Sequence, residues 1–175
     1  QTLRQLCTES GVPFVCDATQ WMGRLPGTEL GVCDYVFASG HKFGAPVGIG
    51  FLKLPARAAG PIFQSLLLGG PQEDARRAGT QNVAAAAAFA AALNHSAANM
   101  DSIAERLAIR ARIESQLRER IEGLRIIAES EQRLWNTITI LAPAALDCRQ
   151  RWVVRLDAAG VAASSGSACA SGKEN

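Results

Sequence analysis

Two short apolar runs end in residues that can do chemistry. Val12–Cys16 ends at Asp17, and Tyr35–Ala38 ends at Ser39-Gly40-His41-Lys42. Both runs have the length and composition of buried strands. In open α/β sheets, ligands gather at the carboxyl ends of strands. A carboxylate, a hydroxyl, an imidazole and an amine can therefore converge on one crevice. The set suits pyridoxal 5′-phosphate (PLP). A carboxylate keeps the pyridine nitrogen protonated and makes the ring an electron sink. A lysine amine forms a Schiff base with the aldehyde, while a hydroxyl and an imidazole bind phosphate. Taken singly, Asp17 or Lys42 reads more simply as a surface charge at the start of a loop.

A second reactive group lies near the end of the chain. Ala163-Ser164-Ser165-Gly166-Ser167-Ala168-Cys169-Ala170-Ser171-Gly172 is built of small residues alone. Such a stretch cannot form a core and is expected to be a flexible loop, which leaves the Cys169 thiol accessible. By itself, Cys169 reads as a nucleophile or as an inert thiol. Cys7, Cys16, Cys33 and Cys148 show no CxxC or CxxH spacing, so they read as packing residues in a reducing compartment and not as zinc ligands. His95 reads as a polar residue on a helix, and the scattered Trp21, Trp135 and Trp152, without a basic frame, read as buried or half-buried residues and not as a base-stacking platform.

The elements that must position these groups follow from local patterns. Residues 2–10 read as a weak helix stopped by Gly11. Val12–Cys16, Tyr35–Ala38 and Gly48–Leu54 read as strands, with the loop Gln20–Gly27 between the first two. Alternation of apolar runs with helices and loops gives an α/β domain with a mostly buried sheet. Residues from Gln81 to about Asn99 form a helix apolar on all sides, expected to be packed all round. A second helix runs from Asp101 to Gly123, with Ile103, Leu107, Ile113, Leu117 and Ile121 on its inner face. Its charges, Glu105, Arg106, Arg112, Glu119 and Arg120, read as solvated. The short runs Leu124–Ala128, Asn136–Leu141 and Trp152–Leu156 indicate a small α+β unit. The boundary is placed inside the second helix, giving domains 1–110 and 111–175.

Composition narrows the function classes. With 48% apolar and 19% charged residues the chain is globular, and its net charge of +2, without a basic run, gives little support for a nucleic-acid or anionic-membrane partner. The longest apolar run, Val83–Leu93, is too short and too alanine-rich to span a bilayer, and no signal-peptide pattern is seen. A cytoplasmic protein is expected.

Val15-Cys16-Asp17-Ala18-Thr19-Gln20 and Ser39-Gly40-His41-Lys42 resemble the cofactor motifs of class V PLP-dependent enzymes, and more narrowly those of NifS/IscS-type cysteine desulfurases. Gly69-Gly70-Pro71-Gln72-Glu73 with Arg77-Ala78-Gly79-Thr80-Gln81-Asn82-Val83 resembles the family's glycine-rich stretch and phosphate-binding threonine. Ser164-Ser165-Gly166-Ser167-Ala168-Cys169 resembles its catalytic-cysteine loop. The four motifs occur in the family's order, and the resemblance covers nearly the whole chain. The resemblance implies part of a PLP fold-type I large domain with a mostly parallel sheet, plus part of a small C-terminal α+β domain. It implies Lys42 as the Schiff-base lysine, Asp17 on the pyridinium nitrogen, and Gln20 on the ring's phenolic oxygen. Ser39 and His41 would bind the phosphate, Thr80 would reach the phosphate of a neighbouring subunit in a homodimer, and Cys169 would be the nucleophile.

The implied reaction converts L-cysteine to L-alanine, with sulfur passed as a persulfide to a sulfur acceptor such as an iron–sulfur scaffold protein. The resemblance also implies missing parts at both ends. These would carry a ring-stacking histidine, a further phosphate-binding threonine, an asparagine near the ring and a carboxylate-binding arginine. Val47 stands where a basic residue is frequent. A selenocysteine lyase, an aminotransferase or a catalytically silent fragment that dimerises or binds an acceptor are the alternatives.

Overall fold

The computed structural model describes residues 2–55, 64–143 and 149–166, with the side chains of 149–151 left aside. By its internal contacts the chain divides into two units, residues 1–108 and 109–175.

The first unit begins with α1 (Leu3–Glu9), whose Thr2 and Gln5 form a reciprocal capping box. Ser10 is its C-cap, and Gly11 follows at φ 65°, a left-handed conformation that glycine adopts without steric penalty. Three strands follow: β1 (Val15–Asp17), β2 (Tyr35–Ser39) and β3 (Gly50–Lys53). The sheet order is β1-β2-β3. β1 pairs parallel with β2, placing Asp17 opposite Phe37, and β3 returns antiparallel, with Ser39 opposite Gly50. Asp34 fixes the entry to this pair. Its carboxylate accepts from the Phe14 amide at 2.8 Å and from Arg4 at 2.6 Å.

One sheet face makes the core, from Ala18, Leu30, Cys33, Val36 and Ala38, with Phe14, Cys16, Trp21, Met22 and Phe51 packed against them. The opposite face is open. Val15, Phe37 and Leu52 alternate onto it and are 51%, 39% and 46% exposed. The sheet expected to be mostly buried is therefore covered on one face only among the described residues.

α2 is a single turn, Gln72–Ala75, with Glu73, Asp74 and Ala75 at φ of 53°, 56° and 59°. α3 (Val83–Ala98) is capped by Asn82, whose side chain accepts from the Ala85 amide at 3.0 Å. The all-round burial expected of α3 is not found. Ala85, Ala88, Phe89, Ala92, Leu93 and Ser96 form one half-buried stripe, and the remaining residues through His95 are exposed. Alanine counts as apolar in a pattern, but its small surface gains little from cover.

α4 (Ile103–Arg120) crosses from the first unit into the second. Its inner stripe differs from the expected one. Ile103, Arg106, Arg110, Glu114, Leu117 and Ile121 are buried or half-buried, while Leu107 and Ile113 are 37% and 40% exposed. Arg106 therefore leaves the set of solvated charges, and Glu105, Arg112, Glu119 and Arg120 stay in it. Glu114, 5% exposed, accepts two bonds from Arg133 at 2.9 and 3.2 Å, with Arg110 Nε at 3.7 Å. Arg110 in turn donates to the carbonyls of Arg133 and Leu134. β4 (Arg125–Ile126) and β5 (Ile140–Leu141) pair antiparallel, and α5 (Arg149–Ala158) takes up the apolar run Trp152–Leu156. Among the described residues no helix is long and apolar enough to cross a membrane.

Candidate active site

The parallel register of β1 and β2 brings their carboxyl ends side by side. The Ala18 amide donates to the Phe37 carbonyl at 2.8 Å, so the turn after Asp17 starts next to the turn after Ser39. Asp17 is exposed on the open side of the sheet. The Thr19 hydroxyl, and then its amide at 2.9 Å, hold the Asp17 carboxyl below the ordinary value of 3.8. Asp17 therefore keeps its negative charge throughout the neutral range. A group with a lowered folded-state pKa contributes stability above its unfolded value, and loses it as pH falls through the lower folded value. Thr19→Val removes the hydroxyl and keeps the amide. It is expected to move the Asp17 titration part of the way back toward 3.8, a shift that carboxyl NMR reads directly.

After β2 the chain forms a one-turn 3-10 helix, Gly40–Phe43, closed by Gly44 at φ 96°. Ser39 Oγ lies 2.7 Å from His41 Nδ1, so a hydroxyl and an imidazole form one polar pair. Lys42 and His41 are exposed. The turn is held from behind. A Cβ on Gly40 would lie 2.8 Å from both Ala45 Cβ and Phe89 Cδ2, so only glycine lets the turn rest on α3. Phe43 meets Phe89 edge-on at 5.2 Å between ring centres.

Two of the predicted residues are joined by a residue that the sequence reading passed over. Arg24 Nη1 donates to the Gln20 carbonyl at 3.0 Å, and Nη2 to the Lys42 carbonyl at 2.7 Å. Its only sequence signal was its position in a turn rich in glycine and proline.

Asp17, Gln20, Ser39, His41 and Lys42 thus lie on two adjacent turns. Thr80 is exposed in the segment before α3, and no hydrogen bond joins it to the other five among the described residues. Cys169 and Cys148 lie outside the described residues. Cys16 and Cys33 belong to the core, where burial first, and then Cys33, push the Cys16 thiol pKa up. A polar cleft beside Arg24, lined by Gly23, His95, Ser96, Asn99 and Arg106, contains none of the predicted cofactor residues.

What this edge offers chemically is an ionised carboxylate, a hydroxyl–imidazole pair and a primary amine at the ends of parallel strands. Known proteins share the pattern. The aminotransferase class-V family model matches residues 1–174. A cysteine desulfurase of Gluconacetobacter diazotrophicus is 36% identical over 98% of this chain and 42% of its own length. A second, from Rhodobacter capsulatus, is 40% identical over 96% of this chain and 44% of its own. This chain therefore spans less than half the length of these relatives. A solved NifS-like protein is 28% identical, with a TM-score of 0.77 over 91% of this chain and 43% of that one. Another, from Rickettsia africae, shares the fold at 24% identity, with a TM-score of 0.76 over 94% of this chain and 44% of its own. The expected α/β fold class stands, and by sequence and by fold this chain belongs to the aminotransferase class-V family of PLP-dependent enzymes.

Proposed function

We propose that this chain is part of a PLP-dependent cysteine desulfurase that converts L-cysteine to L-alanine and takes the sulfur onto Cys169 as a persulfide. The observation that carries the reading is the grouping of Asp17, the Ser39–His41 pair and Lys42 at the ends of two parallel strands. The likeness to cysteine desulfurases over nearly the whole chain supports it.

The donor set fits PLP. Asp17, kept ionised by Thr19, matches a protonated pyridine nitrogen, and Gln20 matches the ring's phenolic oxygen. Ser39 and His41 match the phosphate, and the Lys42 amine matches the aldehyde. Bound there, PLP supplies an electron sink for the charge that develops at the substrate Cα. Lys42 Nζ would take the Cα proton and return it to Cα once the Cβ–S bond has broken. Cys169 Sγ, as the thiolate, attacks the sulfur of L-cysteine. The Cβ–S bond breaks with its electron pair left on Cβ, which takes up a proton. Alanine leaves, and Cys169 carries the second sulfur to an acceptor. The exposure of Asp17, Gln20, His41 and Lys42 is consistent with further walls from the rest of a longer protein. The proposal includes a homodimer in which Thr80 binds the phosphate of the neighbouring subunit, a cytoplasmic location, and an iron–sulfur scaffold or similar acceptor protein.

The test is a full-length protein given L-cysteine, PLP and a reductant. Alanine and sulfide are expected in equal amounts. Cys169→Ala is expected to lower sulfide release by at least about 10³-fold, the scale seen when a nucleophile is removed, with PLP retained. Undiminished release from Cys169→Ala would assign the nucleophile elsewhere. Retained PLP without any product from L-cysteine would favour a related class V enzyme, such as a selenocysteine lyase or an aminotransferase.

A further inference from the structure

Arg24 lies outside the motifs that carry the family likeness, yet it joins the two turns on which the proposed site rests. Its Nη1 donates to the carbonyl of Gln20 and its Nη2 to the carbonyl of Lys42, at 3.0 and 2.7 Å. The two accepting residues belong to different turns, one after β1 and one after β2. A guanidinium is a flat fork with donors at fixed separation, so it holds a set distance between two acceptors, where an ammonium carries its three donors on one nitrogen at the end of a flexible stem. Both bonds are charge-assisted, which makes them stronger than bonds between neutral groups. Arg24 is half-buried, and that burial lowers its pKa, while both accepting carbonyls belong to exposed residues.

The backbone leading into Arg24 is also fixed. Gly23 precedes it at φ 73°, and a Cβ there would lie 2.4 Å from Phe43 Cβ. The turn carrying Gln20 is therefore pressed against the residue that follows Lys42. Phe43 is held in its turn by Phe89 of α3. The Lys42 carbonyl lies near the end of the one-turn helix, where carbonyls have no partner within the helix. Arg24 supplies one across 18 residues of sequence.

We propose that Arg24 is a positioning residue that sets the spacing between the Gln20 and Lys42 turns, and through it the reach of the Lys42 amine to the aldehyde of PLP. The inference rests on the PLP reading above. Misplacement of a reacting group by about 1 Å costs on the order of 100-fold in rate, so a backbone clamp under Lys42 has leverage on attachment without touching the cofactor.

The experiment uses full-length apo-protein and PLP. The rate of PLP attachment to Lys42 is read from absorbance and from borohydride trapping followed by peptide mass analysis. Arg24→Met keeps the stem and removes the fork. Attachment is expected to slow by about tenfold or more, the factor that corresponds to one lost charge-assisted bond. Glu114→Ala, which weakens the other unit, is the control for lost stability alone. Slowing in Arg24→Met beyond that control supports the inference, and a rate equal to wild type or to the control overturns it. Should Arg24→Met be insoluble, Arg24→Gln decides. That amide lies two bonds short of the fork and cannot span both carbonyls, so slower attachment supports the clamp and a wild-type rate overturns it. A wild-type protein that takes up no PLP overturns the functional reading and this inference with it, so the two failures are told apart.

Discussion

In a full-length protein carrying Lys42→Ala, turnover of L-cysteine is expected to fall by about 10³-fold or more, since one amine both holds the cofactor and moves a proton. The fold is expected to stay intact. The Lys42 side chain is exposed, and the bond that ties this residue to Arg24 uses its backbone carbonyl. Exposed substitutions of this kind change stability by no more than about 0.5 kcal/mol. Alanine release measures the activity, dialysis followed by absorbance measures cofactor retention, and a thermal melt of the apo-protein measures the fold. Lost turnover and lost retention with an unchanged melt would assign Lys42 its role. Normal turnover would reduce Ser39-Gly40-His41-Lys42 to a surface turn and remove the ground for the PLP reading.

Glu114→Ala is expected to have the largest effect on stability, about 3–5 kcal/mol, because it leaves two guanidinium groups facing each other without their carboxylate. The side chains of Arg110 and Arg133 are each 14% exposed, and that of Glu114 is 6% exposed. Water cannot readily take over the lost bonds. Arg110 and Arg133 are further tied by the bond from Arg110 Nη1 to the Arg133 carbonyl at 3.0 Å, so the two cations cannot separate freely. Urea denaturation of the full-length protein, followed by a probe in the unit of residues 109–175, measures the loss. Glu119→Ala, on the exposed side of the same helix, is the comparison and is expected within about 0.5 kcal/mol of wild type. Equal effects from both variants would show that the buried cluster contributes no more than a surface charge.

The sequence made the strands legible because short apolar runs flanked by turn residues have few other uses. Val12–Cys16, Tyr35–Ala38 and Gly48–Leu54 became β1, β2 and β3 within a few residues. Their directions were not legible. Four residues of β3 read the same whether they run with β2 or against it, and only the connection decides. The two turns of the candidate site were found because their polar residues follow directly on apolar runs. Arg24 was not, since its partners are backbone carbonyls, and a carbonyl leaves no trace in residue type. Glu114 was missed for a related reason. A charge on an amphipathic helix reads as solvated by default, and its partner Arg133 lies beyond the helix, with no periodic relation to it. The burial of α3 was overestimated because eleven consecutive apolar residues carry no marker of which side is inner when most of them are alanine.

The parallel pairing of β1 and β2 also bears on the order in which the molecule forms. The crossover between them spans Ala18–Asp34, and closing a loop of that length is inexpensive, since each doubling adds only about 0.6 kcal/mol. Asp17, Gln20, Arg24, Ser39, His41 and Lys42 all lie on this crossover, the two strands that flank it and the turn after β2. Domains form from the amino-terminal side during synthesis. The carboxylate, the clamp and the lysine can thus come together while the ribosome has yet to reach Cys169. On that timetable Asp17, Ser39, His41 and Lys42 exist as a unit before the thiol proposed to work with them has been made.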